Sequence, residues 1–234
     1  MRSLDELINL DDSAWPMILA EVTGSPMTID LLPADNERGR ACLLHLQVTT
    51  RSYLGAIALH AGGLLIDHGW LRVFGGAAVP GSGLPGLAEV NAFPGSAPAL
   101  IVADDVLGGV FAINGPDPAA AHRPGNPGGM TYFAPDTMAW EPLDVGHGAW
   151  LSWLLSGGTD QFYADLRWPD WQTETARLRP SEGLSVFPHL WSKEAREDLA
   201  ATSRRPVPMK ELLGLHTEFH AHPGNPTPGF LGLR

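Results

Sequence analysis

The sequence predicts a single α+β domain in which an antiparallel sheet of about five or six strands is flanked by helices. The chain has 234 residues, 44% of them hydrophobic, which is enough for one large core. Helix-like segments lie near both ends, whereas short apolar runs separated by turn residues fill the middle. We therefore expect residues 1–234 to form one domain, with 192–234 as its helical C-terminal extension.

The N-terminal part predicts three helices. Residues 3–10 are amphipathic, and Ser3 followed by Glu6 has the spacing of a capping box. A second helix is expected to begin near Pro16 and to end at Gly24, because proline is favoured in the first turn. A third is expected over 36–47, where apolar and charged residues separate onto two faces.

The middle of the chain predicts a meander of antiparallel strands. Its apolar runs are short, and glycine or the sequence Asp67-His68-Gly69 separates them. The glycine- and proline-rich stretch 75–99 predicts a long loop. The predicted strands are 57–59, 63–66, 70–74, 99–103, 109–114, 130–134 and 138–143.

The last third predicts helices around an irregular segment. Residues 148–155 form an apolar stretch that two glycines end, which indicates a helix. Prolines and tryptophans are interspersed over 161–191, so we expect irregular structure there. Two further helices are expected over 193–202 and 208–219.

The charge of the chain excludes some classes of function. Its formal net charge is −11, whereas a general nucleic-acid binder needs a surplus of lysine and arginine. Residues 1–160 carry 17 acidic and 6 basic groups, and residues 161–234 carry 9 of each. This excess predicts a basic protein partner, although solubility alone also explains it.

The N-terminal sequence and the hydropathy indicate a cytoplasmic protein that does not enter a membrane. The first ten residues lack a basic region followed by an apolar core, and no apolar run reaches the roughly 18 residues of a spanning helix. The single cysteine, Cys42, excludes a disulfide framework.

The common catalytic motifs are missing, so we expect no cofactor and favour a binding protein over an enzyme. Residues 81–86 match GxGxxG, but a proline lies within the motif and no strong helix follows it. No serine has glycine two residues away on both sides, as a nucleophile elbow requires, and HExxH is absent. The competing class is a metal-dependent enzyme.

The metal hypothesis depends on three histidines near the C-terminus. His216 and His220 are four residues apart and would share one face of a helix, and His222 would complete three nitrogen ligands. Asp67 and His68 would contribute a further ligand or an outer hydrogen bond. Solvent-exposed histidines at the end of a helix are the simpler explanation.

Six residues of the predicted sheet are candidates for binding. Asp67 beside His68 suits a general base or a hairpin turn. Asp104 and Asp105 suit a cation, a shared proton or another turn. A third class of function, small-molecule binding, would use a pocket lined by Trp70, Trp140 or Trp168. The candidate binding set is Asp67, His68, Trp70, Asp104, Asp105 and Trp140.

Several stretches resemble one bacterial family, which is labelled domain of unknown function 2625. The resemblance covers most of the chain, is weakest over 192–234, and implies no activity. It is carried by MRSLDELINLDDSAWP at 1–16, LLPAD at 31–35, LQVTTRSYLGAIALHAGGLLIDHGWLRVFG at 46–75, LGGVFAINGPDP at 107–118, MTYFAPDTMAWEPLD at 130–144 and FYADLRWPDW at 162–171.

The order of the predicted elements is also similar to that of the SUKH superfamily. Leading helices precede a strand meander with Gly-Gly-Val-Phe and Asn-Gly, and a hairpin ending in WEPL at 140–143 precedes a tryptophan-bearing helix. The resemblance implies a SUKH-like fold and an immunity-type protein that neutralises a basic toxin by binding it. No diagnostic SUKH residue set is present, and the 75–99 loop and the C-terminal helices are additional.

Overall fold

The computed structural model describes residues 1–8, 11–92, 98–220, 229 and 231–232, without the side chain of His220. It confirms the α+β class. All seven strands of the main sheet are antiparallel, and each pairs with the next along the chain. The strands are β1 (Ile29–Pro33), β2 (Ala61–Ile66), β3 (Leu71–Phe74), β4 (Ala99–Asp105), β5 (Val110–Asn114), β6 (Met130–Ala134) and β7 (Ala139–Pro142).

The described part of the chain also contains a separate hairpin, ten α-helices, a π-helical segment at Leu154–Gly158, and 3-10 helices at Ala164–Leu166 and Leu199–Ala201. The hairpin pairs β8 (Glu182–Phe187) with β9 (Ser203–Pro208). The helices are α1 (Leu4–Leu7), α2 (Trp15–Gly24), α3 (Asn36–Leu46), α4 (Tyr53–His60), α5 (Leu87–Val90), α6 (His147–Trp153), α7 (Thr159–Phe162), α8 (Trp171–Thr175), α9 (Lys193–Glu197) and α10 (Met209–His220). None of these helices is long and apolar enough to cross a membrane.

Local signals predicted the first helices correctly. The Ser3 N–H donates to Glu6 Oε2 at 2.7 Å, and the Glu6 N–H donates to Ser3 Oγ, so the capping box is formed. Helix α1 ends at Leu7, and positions 9 and 10 of the predicted helix lie outside the described residues. Helices α2 and α3 lie where the sequence predicts them.

The strand prediction for 57–59 is wrong, because these residues belong to α4. Residues 54 to 59 of this helix are all buried, so the segment is apolar on every side and shows no helical periodicity. Ser52 fixes the start of the helix, since its Oγ accepts from the Gly55 N–H at 3.1 Å.

Three strands lie where the sequence predicts none. The sheet has seven strands rather than five or six, and β1 lies in a stretch with no predicted element. β8 lies within the segment predicted as irregular, and β9 separates the two predicted C-terminal helices. Helix α9 ends at Glu197, four residues after it begins, so the prediction of a helix over 193–202 was too long. β8 and β9 stabilise each other only through long-range pairing, which local patterns do not show.

Each face of the main sheet is covered by different elements. On one face, the ring of Phe111 lies 5.2 Å from that of Trp150 in α6. On the other face, the Leu184 N–H of β8 donates to the Val106 carbonyl, and Phe133 lies 5.7 Å from His216 of α10. Both faces of the central strands are therefore buried, and polar side chains there need partners inside the protein.

Candidate functional site

Asp105 lies at the end of β4 and is completely buried. The hydroxyls of Tyr132 and Tyr163 donate to its Oδ2 at 2.7 and 3.1 Å. The backbone N–H groups of Leu107 and Gly109 donate to Oδ1, both at 2.9 Å. Four donors from three parts of the chain therefore surround this carboxylate.

The titration of this cluster is controlled by burial. Desolvation raises the pKa of the Asp105 carboxyl, although the four hydrogen bonds favour its ionised form. Burial, together with the charge of Asp105, raises the pKa values of Tyr132 and Tyr163 well above 10. Both hydroxyls are thus protonated donors near neutral pH, and they hold the carboxylate in place.

Asp104 points to the opposite face of the same strand and pairs with Arg72. The two residues are directly opposed on β4 and β3, both are at least 98% buried, and Arg72 Nη1 lies 4.0 Å from Asp104 Oδ1. Burial lowers the pKa of the Arg72 guanidinium to about 10, which leaves it charged at neutral pH. The adjacent Asp104 and Asp105 thus have different nearest partners, and their use as one cation site stays a prediction.

Asp67 lies in the turn between β2 and β3, and its carboxylate forms an ion pair with Arg167. Thr159 Oγ1 donates to the same oxygen of Asp67 at 3.2 Å. Asp67 and His68 have left-handed φ values of 58° and 56°, which aspartate tolerates better than most residues. This geometry confirms the turn interpretation of Asp67-His68-Gly69.

Arg167 packs against the aromatic rings near Asp67. Its guanidinium carbon lies 3.9 Å from the ring centre of Trp171 and 5.1 Å from that of Trp70. Trp70 also packs on Trp168 at 5.6 Å, and both indoles are buried. The ring of His68 lies edge-on to Trp171 at 6.0 Å. Trp70 and Trp171 also contact each other edge to face, with ring centres 5.1 Å apart, so the indoles and the Arg167 guanidinium form one packed cluster.

Trp140 lies on β7, beyond the reach of this cluster, and has its own arginine. The guanidinium carbon of Arg123 is 3.5 Å from the Trp140 ring centre. Arg123 also donates to Asn114 Oδ1 at 3.0 Å and to Thr131 Oγ1 at 2.7 Å. Burial lowers the pKa of Arg123 to about 10. The six candidate binding residues therefore lie in several clusters, and a shared ligand-binding role for them stays a prediction.

The structure describes only one of the three predicted metal ligands. His216 is buried in α10, with ring contacts to Phe133 at 5.7 Å and Trp191 at 6.0 Å. The side chain of His220 and the whole of His222 lie outside the described residues. Within the described ranges, no three His, Cys, Asp or Glu side chains could hold a metal ion together. The histidine site stays a prediction.

Three exposed carboxylates lie on or shortly after strands β5 and β7, with Glu141 within β7, and we call Asp117, Glu141 and Asp144 the acidic edge. Asp117 follows the end of β5 and Asp144 follows the end of β7; both of these strands pair with β6. All three residues are exposed, and none makes an ion pair with a residue that the structure describes.

Asp144 of the acidic edge lines an open pocket of about 300 Å³. Residues 125–130 line one side of it, and Pro142 to Gly146 contribute to the other. Val145 is 39% exposed at this rim, which adds an apolar contact to the carboxylates. The loop is held by the sheet, since the Met130 N–H donates to the Val145 carbonyl at 2.8 Å.

The acidic edge has no compensating cation from its own part of the chain. Arg123 is the sole lysine or arginine between Arg72 and Arg167, a stretch that carries nine acidic residues. Arg123 itself is 94% buried beneath Trp140. Of the exposed carboxylates in this stretch, Glu89 and Asp160 form ion pairs with Arg38 and Arg167, whereas the three of the acidic edge form none with a described residue.

A polar triad between α2 and α6 was not predicted. Tyr53 and Ser152 both donate their hydroxyl groups to Glu21 Oε1 at 2.8 Å. The other oxygen, Oε2, is buried and has no hydrogen-bond partner within the described structure. Glu21 and Ser152 are 131 positions apart, and neither belongs to a recognisable motif, so no local signal connects them.

These features define an acidic α+β protein in which the buried Asp67, Asp104 and Asp105 have partners inside the protein, whereas the exposed carboxylates of the acidic edge form no ion pair with a described residue. The sequence model described as "Protein of unknown function DUF2625" matches residues 4–212, and the chain belongs to this family. The similarity to the SUKH superfamily has no such support, and no solved structure matches the chain.

Two relatives are similar over nearly their whole length. The uncharacterized protein YbfG of Escherichia coli (strain K12) is 38% identical over 221 residues, which cover 91% of this chain and 94% of YbfG. An uncharacterized protein of Haemophilus influenzae (strain ATCC 51907 / DSM 11121 / KW20 / Rd) is 29% identical over 231 residues, 95% of this chain and 94% of that protein. Neither name assigns an activity.

Proposed function

We propose that this protein is a non-enzymatic binding module that recognises a basic protein through its acidic edge. The observation that carries the proposal is the exposure of Asp117, Glu141 and Asp144 without an ion pair in the described structure. Unpaired surface carboxylates keep their charge available to a partner and raise the rate of encounter with a basic protein.

The surroundings of the acidic edge support contact through side chains rather than strand addition. β7 pairs only with β6 and is an edge strand, but it ends at Pro142, which has no N–H to donate. The exposed Val145 and the open pocket of about 300 Å³ give a basic side chain both apolar and polar contacts.

The buried polar clusters support binding rather than catalysis. Asp105 already accepts four hydrogen bonds, and Asp67 is paired with Arg167 and Thr159. A general base needs a proton of the substrate within hydrogen-bond reach, and these carboxylates are used by the protein itself.

The more specific proposal is an immunity-type role in which the basic partner is a toxin. It rests on the similarity in element order to the SUKH superfamily and on the sign of the charge. We expect co-expression of this chain with a basic toxin encoded by an adjacent gene to restore growth. An adjacent toxin that is not neutralised in this assay would count against the immunity role and leave the binding role to be tested separately.

The binding role is tested with an oligoarginine peptide as the basic probe. In the edge variant, which combines Asp117→Asn, Glu141→Gln and Asp144→Asn, we expect the affinity to fall about tenfold and to depend less on salt. The matched control combines Asp5→Asn, Asp30→Asn and Glu37→Gln. These three residues are also exposed and without an ion pair in the described structure, but they lie on α1, β1 and α3.

The control separates a specific surface from net charge, because both variants remove the same number of charges. Isothermal titration calorimetry at two salt concentrations gives the affinities of all three proteins. An equal loss in the two variants would show that the peptide responds only to net charge, and the proposed surface would then be wrong.

A further inference from the structure

Helices α2 and α6 border a second pocket, which none of the residues of the acidic edge lines. Its volume is about 560 Å³, and it is open to solvent. It is lined by Glu21, Gly24, Ser152, Trp153, Leu155 and Ser156. Gly24 leaves room at its rim, because a Cβ built at this position meets nothing within 4 Å.

Only one of the two carboxylate oxygens of Glu21 has hydrogen-bond partners in the described structure. Both hydroxyl donors, from Tyr53 and Ser152, bond to Oε1 at 2.8 Å. Oε2 is buried, has no hydrogen-bond partner in the described structure, and no described lysine or arginine forms an ion pair with Glu21. A buried carboxylate oxygen without a donor is unfavourable, so this atom favours a ligand that brings an N–H group.

The two hydroxyl groups fix the orientation of the carboxylate. Burial raises the pKa of the Tyr53 hydroxyl, which therefore stays protonated and donates to Oε1 throughout the neutral range. Ser152 Oγ also lies 3.4 Å from the Tyr53 hydroxyl, so the three side chains form one connected group. Oε2 is consequently held in place before any ligand arrives.

Trp153 contributes an aromatic wall to the same pocket. Its indole packs edge-on against Phe162 at 5.7 Å and against Gly158, where any side chain would overlap the ring. Trp153 is nevertheless 39% exposed. A fixed and partly exposed indole beside a carboxylate is the combination that recognises organic cations, by a cation–π contact and an ion pair together.

We infer that this pocket binds the guanidinium group of an arginine side chain presented by the partner. This inference rests on the proposed binding of a basic protein and adds a point of attachment to it. Arginine fits better than lysine because its planar group stacks on an indole while its N–H groups reach a carboxylate in the same plane. The pocket therefore selects one side chain, whereas the acidic edge supplies a general attraction.

The inference is tested on the full chain with ethylguanidinium as the probe and ethylurea as its uncharged counterpart of similar shape. The indole N–H signal of Trp153, identified in an NMR spectrum by its loss in Trp153→Phe, reports on the pocket. We expect a saturable shift with ethylguanidinium and none with ethylurea. Glu21→Gln should weaken the binding of ethylguanidinium at least about tenfold, because the amide keeps the size of the side chain but removes its charge.

Glu194→Gln is the matched control, since Glu194 is an exposed carboxylate on α9 outside the pocket. Equal binding by Glu21→Gln and Glu194→Gln would overturn the inference, as would a saturable shift with ethylurea in the native protein. The ethylurea comparison needs no variant, so it is decisive even if Glu21→Gln does not fold.

Ethylguanidinium also separates this inference from the proposed function. The edge variant should bind ethylguanidinium as the native protein does, because its three residues do not line this pocket. If oligoarginine binding does not depend on the acidic edge but ethylguanidinium still binds, the proposed surface fails and the pocket stands. If oligoarginine binding depends on the acidic edge but ethylguanidinium does not bind, the inference about the pocket is wrong and the proposed surface stands.

Discussion

The carboxylates inside the sheet and those of the acidic edge have opposite surroundings. Asp105 is completely buried and accepts hydrogen bonds from two tyrosine hydroxyls and two backbone N–H groups. Glu141 is exposed, and its one hydrogen bond to a described side chain comes from Thr137 Oγ1 at 3.3 Å. The interior carboxylate has all its partners within the protein, whereas the edge carboxylate has capacity left.

This difference separates the acidic residues that contribute to folding from those that the proposed binding function would use. A buried charge contributes to a stable fold only when the surrounding groups replace its water, as they do at Asp105. An exposed carboxylate retains its water and contributes little to stability, so selection for the fold alone does not require one at that position. The two groups should consequently respond differently to substitution.

The largest expected effect is at Asp105. Asp105→Ala should lower the free energy of unfolding by about 4 kcal/mol, because it leaves four buried donors without an acceptor. Urea denaturation followed by circular dichroism measures this loss. Asp105→Asn, which keeps one carbonyl oxygen as an acceptor, should lose distinctly less. A loss below about 1 kcal/mol in Asp105→Ala would contradict the role of this cluster in folding.

The sequence predicted the elements that local chemistry determines. The capping box at Ser3 and Glu6 and the turn at 67–69 each depend on residues a few positions apart, and both were predicted correctly. By contrast, Arg167 bonds to Asp67 across 100 positions, and Glu21 bonds to Ser152 across 131. No single segment contains both members of such a pair, so composition and spacing could not identify them.

The sequence predicted the candidate site only as an excess of acidic residues, without its location on the surface. Counting along the chain placed the acidic excess in residues 1–160, but it did not distinguish buried from exposed carboxylates. Asp104 and Asp105 were proposed as a single binding pair, although alternation along a strand sends neighbouring side chains to opposite faces. The pairing of Arg72 with Asp104 confirms that separation, because the two residues are opposed across β3 and β4.

An intermediate effect is expected at His147, which begins α6 directly after the acidic edge. Burial lowers the pKa of its imidazole from 6.5 to about 4, and its Nδ1 has no hydrogen-bond partner among the described residues. Between these pH values the unfolded chain binds a proton that the folded protein does not. The free energy of unfolding should therefore fall as the pH decreases from 6.5 to about 4, by about 3 kcal/mol from this residue.

Urea denaturation at a series of pH values measures the effect of His147, with His147→Gln as the variant that cannot titrate. The difference between the two proteins isolates the imidazole from the carboxyl groups that titrate in the same range. Parallel curves for the native protein and His147→Gln would show that this imidazole is not buried enough to lose its proton.

The smallest expected effect on stability is at the acidic edge itself. Each of Asp117→Asn, Glu141→Gln and Asp144→Asn should change the free energy of unfolding by less than about 0.5 kcal/mol. In Asp117→Asn the amide oxygen would still accept from the Ala120 N–H as Asp117 Oδ1 does, and asparagine tolerates the left-handed φ of 53° at position 144. Urea midpoints of the three variants check this expectation.

If the edge variant loses more than about 1.5 kcal/mol of the free energy of unfolding, three times the limit for one substitution, these carboxylates contribute to folding as Asp105 does. Weaker oligoarginine binding by the edge variant would then report a loosened loop instead of a missing charge. A stable edge variant that binds oligoarginine poorly, and more poorly than the control variant, excludes the loosened loop, because its affinity then changes without a change in the free energy of unfolding.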